Sequence, residues 1–164
     1  MKKIVSLVLC CSFLTAMECT SDRDDFHHHI FFCNNGNYAT YVDISYKHPD
    51  TAIQRDPTIP GWHKKTEPHR TNEDALTNAS SYEGDFSSHL MDTLIIFVFN
   101  ADTATLQGWE YVKDHNLVTQ RYDLSLSDLQ NLNWSLTFPP TEEMRNIKMW
   151  PPYGTYDEHG NRLK

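Results

Sequence analysis

Residues 93–99 read Thr-Leu-Ile-Ile-Phe-Val-Phe and are apolar at every position after the first. The run is short and rich in β-branched and aromatic side chains, and the polar residues 100–103 close it. This pattern is typical of a strand that is buried on both faces. We therefore expect the other strands to pair beside this segment and to pack over it.

The flanking sequence predicts further short strands and two brief helices. Apolar alternation predicts strands at residues 27–33, 38–46, 117–124 and 134–138. The segment 34–37, Asn-Asn-Gly-Asn, indicates a tight hairpin turn. Helices are predicted at residues 108–116, with Asn116 in a left-handed C-terminal position, and after a Ser127–Gln130 capping box.

The stretch from residue 50 to residue 90 is polar and interrupted by prolines, and it predicts an irregular crossing with one short strand near Ile59. The fold prediction is a mainly β domain, a single antiparallel β-sandwich over residues 26–140 with two short helical connections. An extended C-terminal wrap is expected over residues 141–164, frayed from Tyr156 onward.

The N-terminus has the pattern of a secretory signal. Two lysines precede an apolar run from Ile4 to Met17, which is too short to cross a bilayer as a mature helix. Cys19 follows at once and is the predicted lipidation site, although Glu18 stands where a lipoprotein signal has a small residue. Residues 1–18 are thus expected to be a signal peptide and residues 19–25 an acidic tether. The tether resembles a surface-export signal, so the outer membrane is the predicted location, on its cell-surface or periplasmic face.

Cysteine positions leave two alternatives for the processed chain. Cys10 and Cys11 leave with the signal, so Cys19 and Cys33 remain. If Cys19 carries lipid, Cys33 is a lone thiol, which we expect in the core. If Cys19 is not lipidated, a Cys19–Cys33 disulfide can form in an oxidising compartment.

The charge excludes one class of partner. The formal net charge is -8, and removal of two lysines and one glutamate with the signal takes it to about -9. Phosphate backbones repel such a chain, so no nucleic-acid partner is expected.

Several short segments resemble small uncharacterised lipoproteins of the Bacteroides group. The resemblance covers most of the chain after the signal, least clearly over residues 55–90. It implies a lipoprotein of the outer membrane with no catalytic residue to transfer. The segments are Asn34–Asn35, Tyr41–Tyr46, Pro49–Thr51, Asp92–Leu94, Trp109–Glu110, Arg121–Leu124, Leu129, Asn133–Trp134 and Met149–Gly154.

No recognisable chemistry accompanies these features. His27 and His29 would share a strand face, but no third ligand follows at metal-site spacing. Glu110 and Asp114 would share a helix face, which is most often a solvated surface. Motifs for serine or zinc hydrolases are absent from the sequence. We therefore predict no catalytic residue, no metal and no cofactor.

The aromatic residues are the candidates for recognition. The sequence has four tryptophans and eight tyrosines. Trp109 and Trp134 fall in periodic segments and are expected in the core. Trp62 and Trp150, with Tyr153, stand among prolines, which can hold a ring ready for a ligand. The competing interpretation, which the sequence favours, is that the Trp62 and Trp150 rings are plugs that pin loops to the sandwich.

Two threonines are candidates for modification. Thr51 and Thr103 each follow an aspartate and precede an alanine, which resembles an O-glycosylation acceptor of Bacteroides-type secreted proteins. The leading function hypothesis is a non-enzymatic envelope lipoprotein, anchored to the membrane, that binds a glycan or an envelope protein. The alternatives are a structural subunit of an envelope assembly and, third, a small hydrolase.

Overall fold

A computed structural model describes residues 26–164 of the chain. The predictions for the signal peptide, the tether and Cys19 lie outside the described residues. Within them the protein is mainly β, with eight strands and four short α-helices. The strands are β1 His29–Asn34, β2 Thr40–Ser45, β3 Lys65–Thr66, β4 Arg70–Thr77, β5 Leu94–Asn100, β6 Gln120–Leu124, β7 Ser135–Phe138 and β8 Lys148–Trp150. The helices are α1 Tyr82–Ser87, α2 Ala101–Gln107, α3 Trp109–Asp114 and α4 Leu126–Asn131, with a 3-10 turn at Glu142–Met144.

The strands form two sheets. The larger sheet has the order β3-β2-β5-β6-β8 and is antiparallel throughout. The smaller sheet has the order β4-β1-β7. Its β1–β4 pair is antiparallel, but β1 and β7 run parallel. The predicted sandwich is therefore antiparallel with this one exception.

Strand β5 is the centre of the molecule, as residues 93–99 predicted. Its side chains from Leu94 to Phe99 are all buried. Leu94, Ile96 and Val98 face the core that both sheets share. Ile95, Phe97 and Phe99 face the other way, into a second core. Helices α2 and α3 cover this second side, so the sandwich carries a partial third layer.

The turn after β1 is not a hairpin turn. Strand β1 belongs to the smaller sheet and β2 to the larger one, so residues 35–39 connect two layers. Buried Asn34 fixes this crossing because its Nδ2 group donates to the carbonyl oxygens of Tyr38 and Thr66, at 2.8 and 3.1 Å. Its Oδ1 accepts from the Gly36 amide. The Asn34 side chain thus closes the turn at residues 34–37, which the sequence predicted to be a hairpin turn between two paired strands.

The region from residue 50 to residue 90 is more ordered than predicted. It contains β3, β4 and α1, and its first strand begins at Lys65 and not near Ile59. Strand β4 carries Asn, Glu and Asp at its centre, and only Ala75 and Leu76 are buried. Such a polar strand gives little periodic signal, and it forms because β1 supplies its hydrogen bonds. Helix α2 was also missed, since residues 100–103 begin a helix instead of only ending a strand.

The two predicted helices are present. Trp109 and Val112 of α3 are both buried, and Asn116 has a φ of 48°. The capping box of α4 is two residues earlier than predicted. Ser125 accepts from the Asp128 amide while the Asp128 carboxylate accepts from the Ser125 amide.

The C-terminal segment adds to the sheet after residue 140. Strand β8 pairs with β6 at the edge of the larger sheet. The tail is also packed, so the expectation of fraying from Tyr156 is wrong. Tyr156 donates its hydroxyl to Thr119 O, and Tyr38 donates to Gly160 O at 3.1 Å. Of the helices in residues 26–164, none is long and apolar enough to cross a membrane.

Candidate ligand-binding site

Three residues from neighbouring strands line up on the outer face of the larger sheet. Phe97 of β5 pairs in register with Arg121 of β6, and Arg121 pairs with Trp150 of β8. Directly paired residues place their side chains on the same face of a sheet. Phe97 is buried, whereas 48% of Trp150 is exposed. The row therefore runs from the second core out to an open aromatic ring.

A shallow pocket lies over this row. It has a volume of about 140 Å³. Thr51, Asn116 and Val118 line it together with the three residues of the row. We call this cavity the Trp150 pocket. It combines one exposed ring with hydroxyl, amide and guanidinium groups, which is the usual composition of a small-molecule site.

The position of Trp150 is set by the strand edge and the residue that follows. Its neighbour Pro151 is buried, and the Pro151 carbonyl accepts from Gln120 Nε2 at 2.9 Å. Because Gln120 is itself fully buried, this hydrogen bond ties β8 to β6. The exposed ring is thus carried by a fixed backbone.

Arg121 is held by a buried carboxylate. The Arg121 Nε and Nη2 atoms lie 2.9 and 3.3 Å from the two Asp123 carboxylate oxygens. Lys148 Nζ lies 3.2 Å from the same carboxylate. Only about 1% of the Asp123 side chain is exposed. Two cations around one buried anion orient the Arg121 guanidinium and leave the cluster one positive charge in excess.

The loop that carries Thr51 is fastened back to β2. We define residues 46–58 as the strap. Ile53 packs into the second core with Ile95 and Phe97. Arg55 Nε lies 3.3 Å from Asp43 Oδ1 on β2, and Arg55 also donates to the Ile44 carbonyl. Both anchors lie within four residues after Thr51, the residue that the strap supplies to the pocket.

Burial of the Asp43 carboxylate, which anchors the strap, costs free energy. Only 2% of the residue is exposed. Burial raises the pKa of its carboxyl above the ordinary value, and the Arg55 guanidinium partly offsets that rise. The Arg55 guanidinium therefore favours the charged form of Asp43, and Lys64 acts in the same direction.

The structure separates the two exposed tryptophans. Trp62 is 41% exposed and Trp150 is 48% exposed, so neither ring is fully buried. Whether each ring pins its loop to the sandwich stays a prediction. Trp109 and Trp134 are buried, as predicted. Trp62 precedes β3, which lies at the opposite edge of the larger sheet from β8. Four strand spacings of about 4.8 Å put these edges roughly 19 Å apart. One small ligand cannot touch both rings.

Tyr153 also lies outside the Trp150 pocket. Its hydroxyl donates to Glu142 Oε2 at 2.7 Å, and the Arg145 guanidinium lies 5.4 Å from its ring centre. The hydrogen bond from Tyr153 lowers the pKa of Glu142. Tyr153 lines a different, acidic groove beside Pro139 and Pro140.

The remaining candidates are dispersed. The His27 ring stacks on Trp134 at 4.2 Å, and its Nδ1 lies 2.5 Å from Glu83 Oε1. No group of three potential metal ligands occurs within residues 26–164. Glu110 pairs with Lys113 at 3.3 Å and is well exposed.

The two threonine candidates and Cys33 have different surroundings. Thr51 is exposed, and Thr103 is half-buried in the first turn of α2. A glycan attached to Thr51 would compete with any ligand for the pocket that Thr51 lines. Cys33 lies on the outer side of the smaller sheet, 3.5 Å from Ser135 Oγ, and it forms no disulfide within residues 26–164. Its partial exposure corrects the expectation of a core position.

Comparison with known proteins assigns the chain to no family. A scan against protein-family models, a search of curated proteins and a search of solved structures each gave no match to the chain. The fold and the geometry of the Trp150 pocket are therefore the basis for a functional hypothesis.

The sequence named Trp150 as a binding candidate and Thr51 as a glycosylation candidate, but it did not indicate the other residues that line the pocket with them. Phe97 was assigned to the core, and Arg121, Asn116 and Val118 were not selected. Strand register brings Arg121 beside Trp150, although they are 29 positions apart along the chain. Alternation within residues 120–124 places Arg121 and the buried Tyr122 on opposite faces of the strand. It does not identify the residues that lie beside Arg121 on the neighbouring strands.

Proposed function

We propose that the protein is a non-enzymatic lipoprotein of the cell envelope that binds a glycan through the Trp150 pocket. The observation that carries this proposal is the half-exposed Trp150 ring on a fixed strand, beside the Arg121 guanidinium and the Thr51 and Asn116 side chains. Sugars present one apolar C–H face and a rim of hydroxyls, and a ring with adjacent polar groups can contact both.

The arrangement also limits the entropy lost on binding. Trp150 is on a strand, Arg121 is oriented by Asp123, and the strap that carries Thr51 is anchored by Arg55. Groups that are already placed lose little freedom when a ligand arrives. The pocket is much smaller than the roughly 300–1,000 Å³ typical of drug-sized ligands, so it suits one sugar unit.

The envelope location depends on residues 1–25 alone. A basic start, an apolar segment and Cys19 support export and lipid attachment. A carbohydrate ligand is consistent with such an address, because glycans are abundant at the cell surface.

The test is a glycan array followed by calorimetric titration of each hit. Trp150→Ala should weaken binding at least about tenfold, since exposed aromatic anchors dominate small interfaces. Trp62→Ala is the matched control, because it removes an equally exposed ring at the opposite sheet edge. It should leave the affinity unchanged.

Two results would contradict the proposal. One is the absence of any glycan hit with a folded protein. The other is an equal loss of affinity in the two tryptophan variants. Circular dichroism should show that both variants keep the strand-rich fold, since each removes a ring that is nearly half exposed.

A further inference from the structure

The charge of the Trp150 pocket differs from that of the whole protein. The chain carries a formal net charge of -8. Arg121 is nevertheless the one charged residue that lines the pocket in the described part of the chain. Aspartate and glutamate are absent from this lining, although they outnumber lysine and arginine by 22 to 14 in the sequence. A cationic pocket in an acidic protein favours an anionic ligand.

The Arg121 guanidinium retains free donors. A guanidinium has five N–H groups. One hydrogen of Nη2 is donated to Asp123, and Nε is buried against the same carboxylate at 2.9 Å without a hydrogen bond. Nη1 and the second hydrogen of Nη2 remain, and paired N–H groups of this kind match the two oxygens of a carboxylate.

The buried Asp123 does not cancel the attraction for an anion. Lys148 shares the Asp123 carboxylate, so the cluster of two cations and one anion keeps a net positive charge. About 23% of the Arg121 side chain is exposed, which leaves its outer edge open to the pocket.

We infer that the Trp150 pocket selects a sugar that bears a carboxylate, such as a uronic acid, with the ring against Trp150 and the carboxylate on Arg121. This inference rests on the proposed function and specifies its ligand class. The volume of about 140 Å³ admits a single ring, so the acidic sugar occupies the pocket as one unit of a glycan.

The test compares matched monosaccharides by isothermal titration calorimetry on the purified protein. Glucuronate should bind at least about tenfold more tightly than glucose, which has a neutral hydroxymethyl group in place of the carboxylate. Acetate should not compete with glucuronate at equal concentration, because it has no ring face to place against Trp150.

A charge variant in the pocket provides the second measurement. Asn116→Asp adds a carboxylate to the lining, and aspartate tolerates the positive φ of position 116. We expect about tenfold weaker glucuronate binding and a smaller loss for glucose, because the added charge repels only the carboxylate. Gln130→Glu is the matched control, since it adds the same charge on the exposed side of α4, outside the pocket lining. It should change neither affinity.

The outcomes separate the two proposals. Equal affinity for glucuronate and glucose, or equal effects of the two charge variants, would overturn the acidic-sugar inference and leave glycan binding intact. Competition by acetate as strong as by glucuronate would also overturn it. If the glycan array gives no hit and neither sugar binds, the proposed function fails as well.

Discussion

Arg55→Gln tests whether the strap depends on its charged anchor. The substitution removes the guanidinium 3.3 Å from Asp43 and leaves a carboxylate that is 2% exposed without its main partner. Removing one member of a buried ion pair typically costs ~3–5 kcal/mol. Arg55 is itself 43% exposed. Water can therefore reach the vacated site, and we expect a smaller loss, about 2 kcal/mol in the free energy of unfolding.

Urea denaturation measures this loss. For a slope of about 2 kcal/mol per molar urea, the midpoint should fall by roughly 1 M. The double variant Asp43→Asn with Arg55→Gln is the informative control, because it removes the buried charge along with its partner. Its stability should recover by at least half of the loss.

The sign of the pH effect follows from the raised pKa of Asp43. The folded state holds this proton more tightly than the unfolded state, so the contribution of Asp43 to stability is greatest below the unfolded value of 3.8 and is lost as the pH rises through the folded pKa. Losing Arg55 should steepen this fall, and Asp43→Asn should remove it. The reasoning is refuted if Arg55→Gln changes stability by less than about 0.5 kcal/mol, or if the single and double variants are equally unstable.

Three further predictions concern the core, the anchor and alkaline pH. Phe97→Ala should cost ~3–5 kcal/mol in urea denaturation, while Phe31→Ala, at a residue 38% exposed, should cost far less. A loss below about 1 kcal/mol for Phe97→Ala would contradict its place in the core. Cys19→Ala should release the protein from the membrane fraction, and intact mass should show acyl groups on the wild type; a Cys19–Cys33 disulfide would reject lipidation. Burial raises the pKa of Tyr82 above 10.0, so the unfolded state loses this proton first and stability falls above about pH 10. Tyr82→Phe should reduce that slope in unfolding curves between pH 9 and 11, and an unchanged slope would contradict the assignment.

Local sequence predicted the elements whose side chains repeat with a clear period. Strand β5 is apolar on both faces, and β7 alternates Trp134, Leu136 and Phe138 toward the core. Helix α3 places Trp109 and Val112 on one buried face. In these segments burial and periodicity agree, so the residues themselves indicate the structure.

The elements that the sequence missed depend on partners far along the chain. Strand β4 is polar over most of its length and exists because β1 provides its ladder. The turn after Asn34 looked like a hairpin, but the Asn34 side chain bonds to carbonyls near residue 66 and directs the chain into the other sheet. Neither interaction leaves a local pattern, because both join segments more than 30 residues apart.

The candidate site shows the same division. Composition and proline context identified Trp62 and Trp150 as rings that could face solvent, yet they left open whether either was a plug. The sheet order then separated the two tryptophans to opposite edges, and strand register joined Trp150 to Arg121 and Phe97. The sequence by itself determined a β-rich, acidic chain, and it named Trp62 and Trp150 as aromatic candidates without deciding whether they face solvent. Only the tertiary structure decided which of them has a pocket, because a pocket depends on cross-strand neighbours and on the strap that Asp43 and Arg55 hold in place.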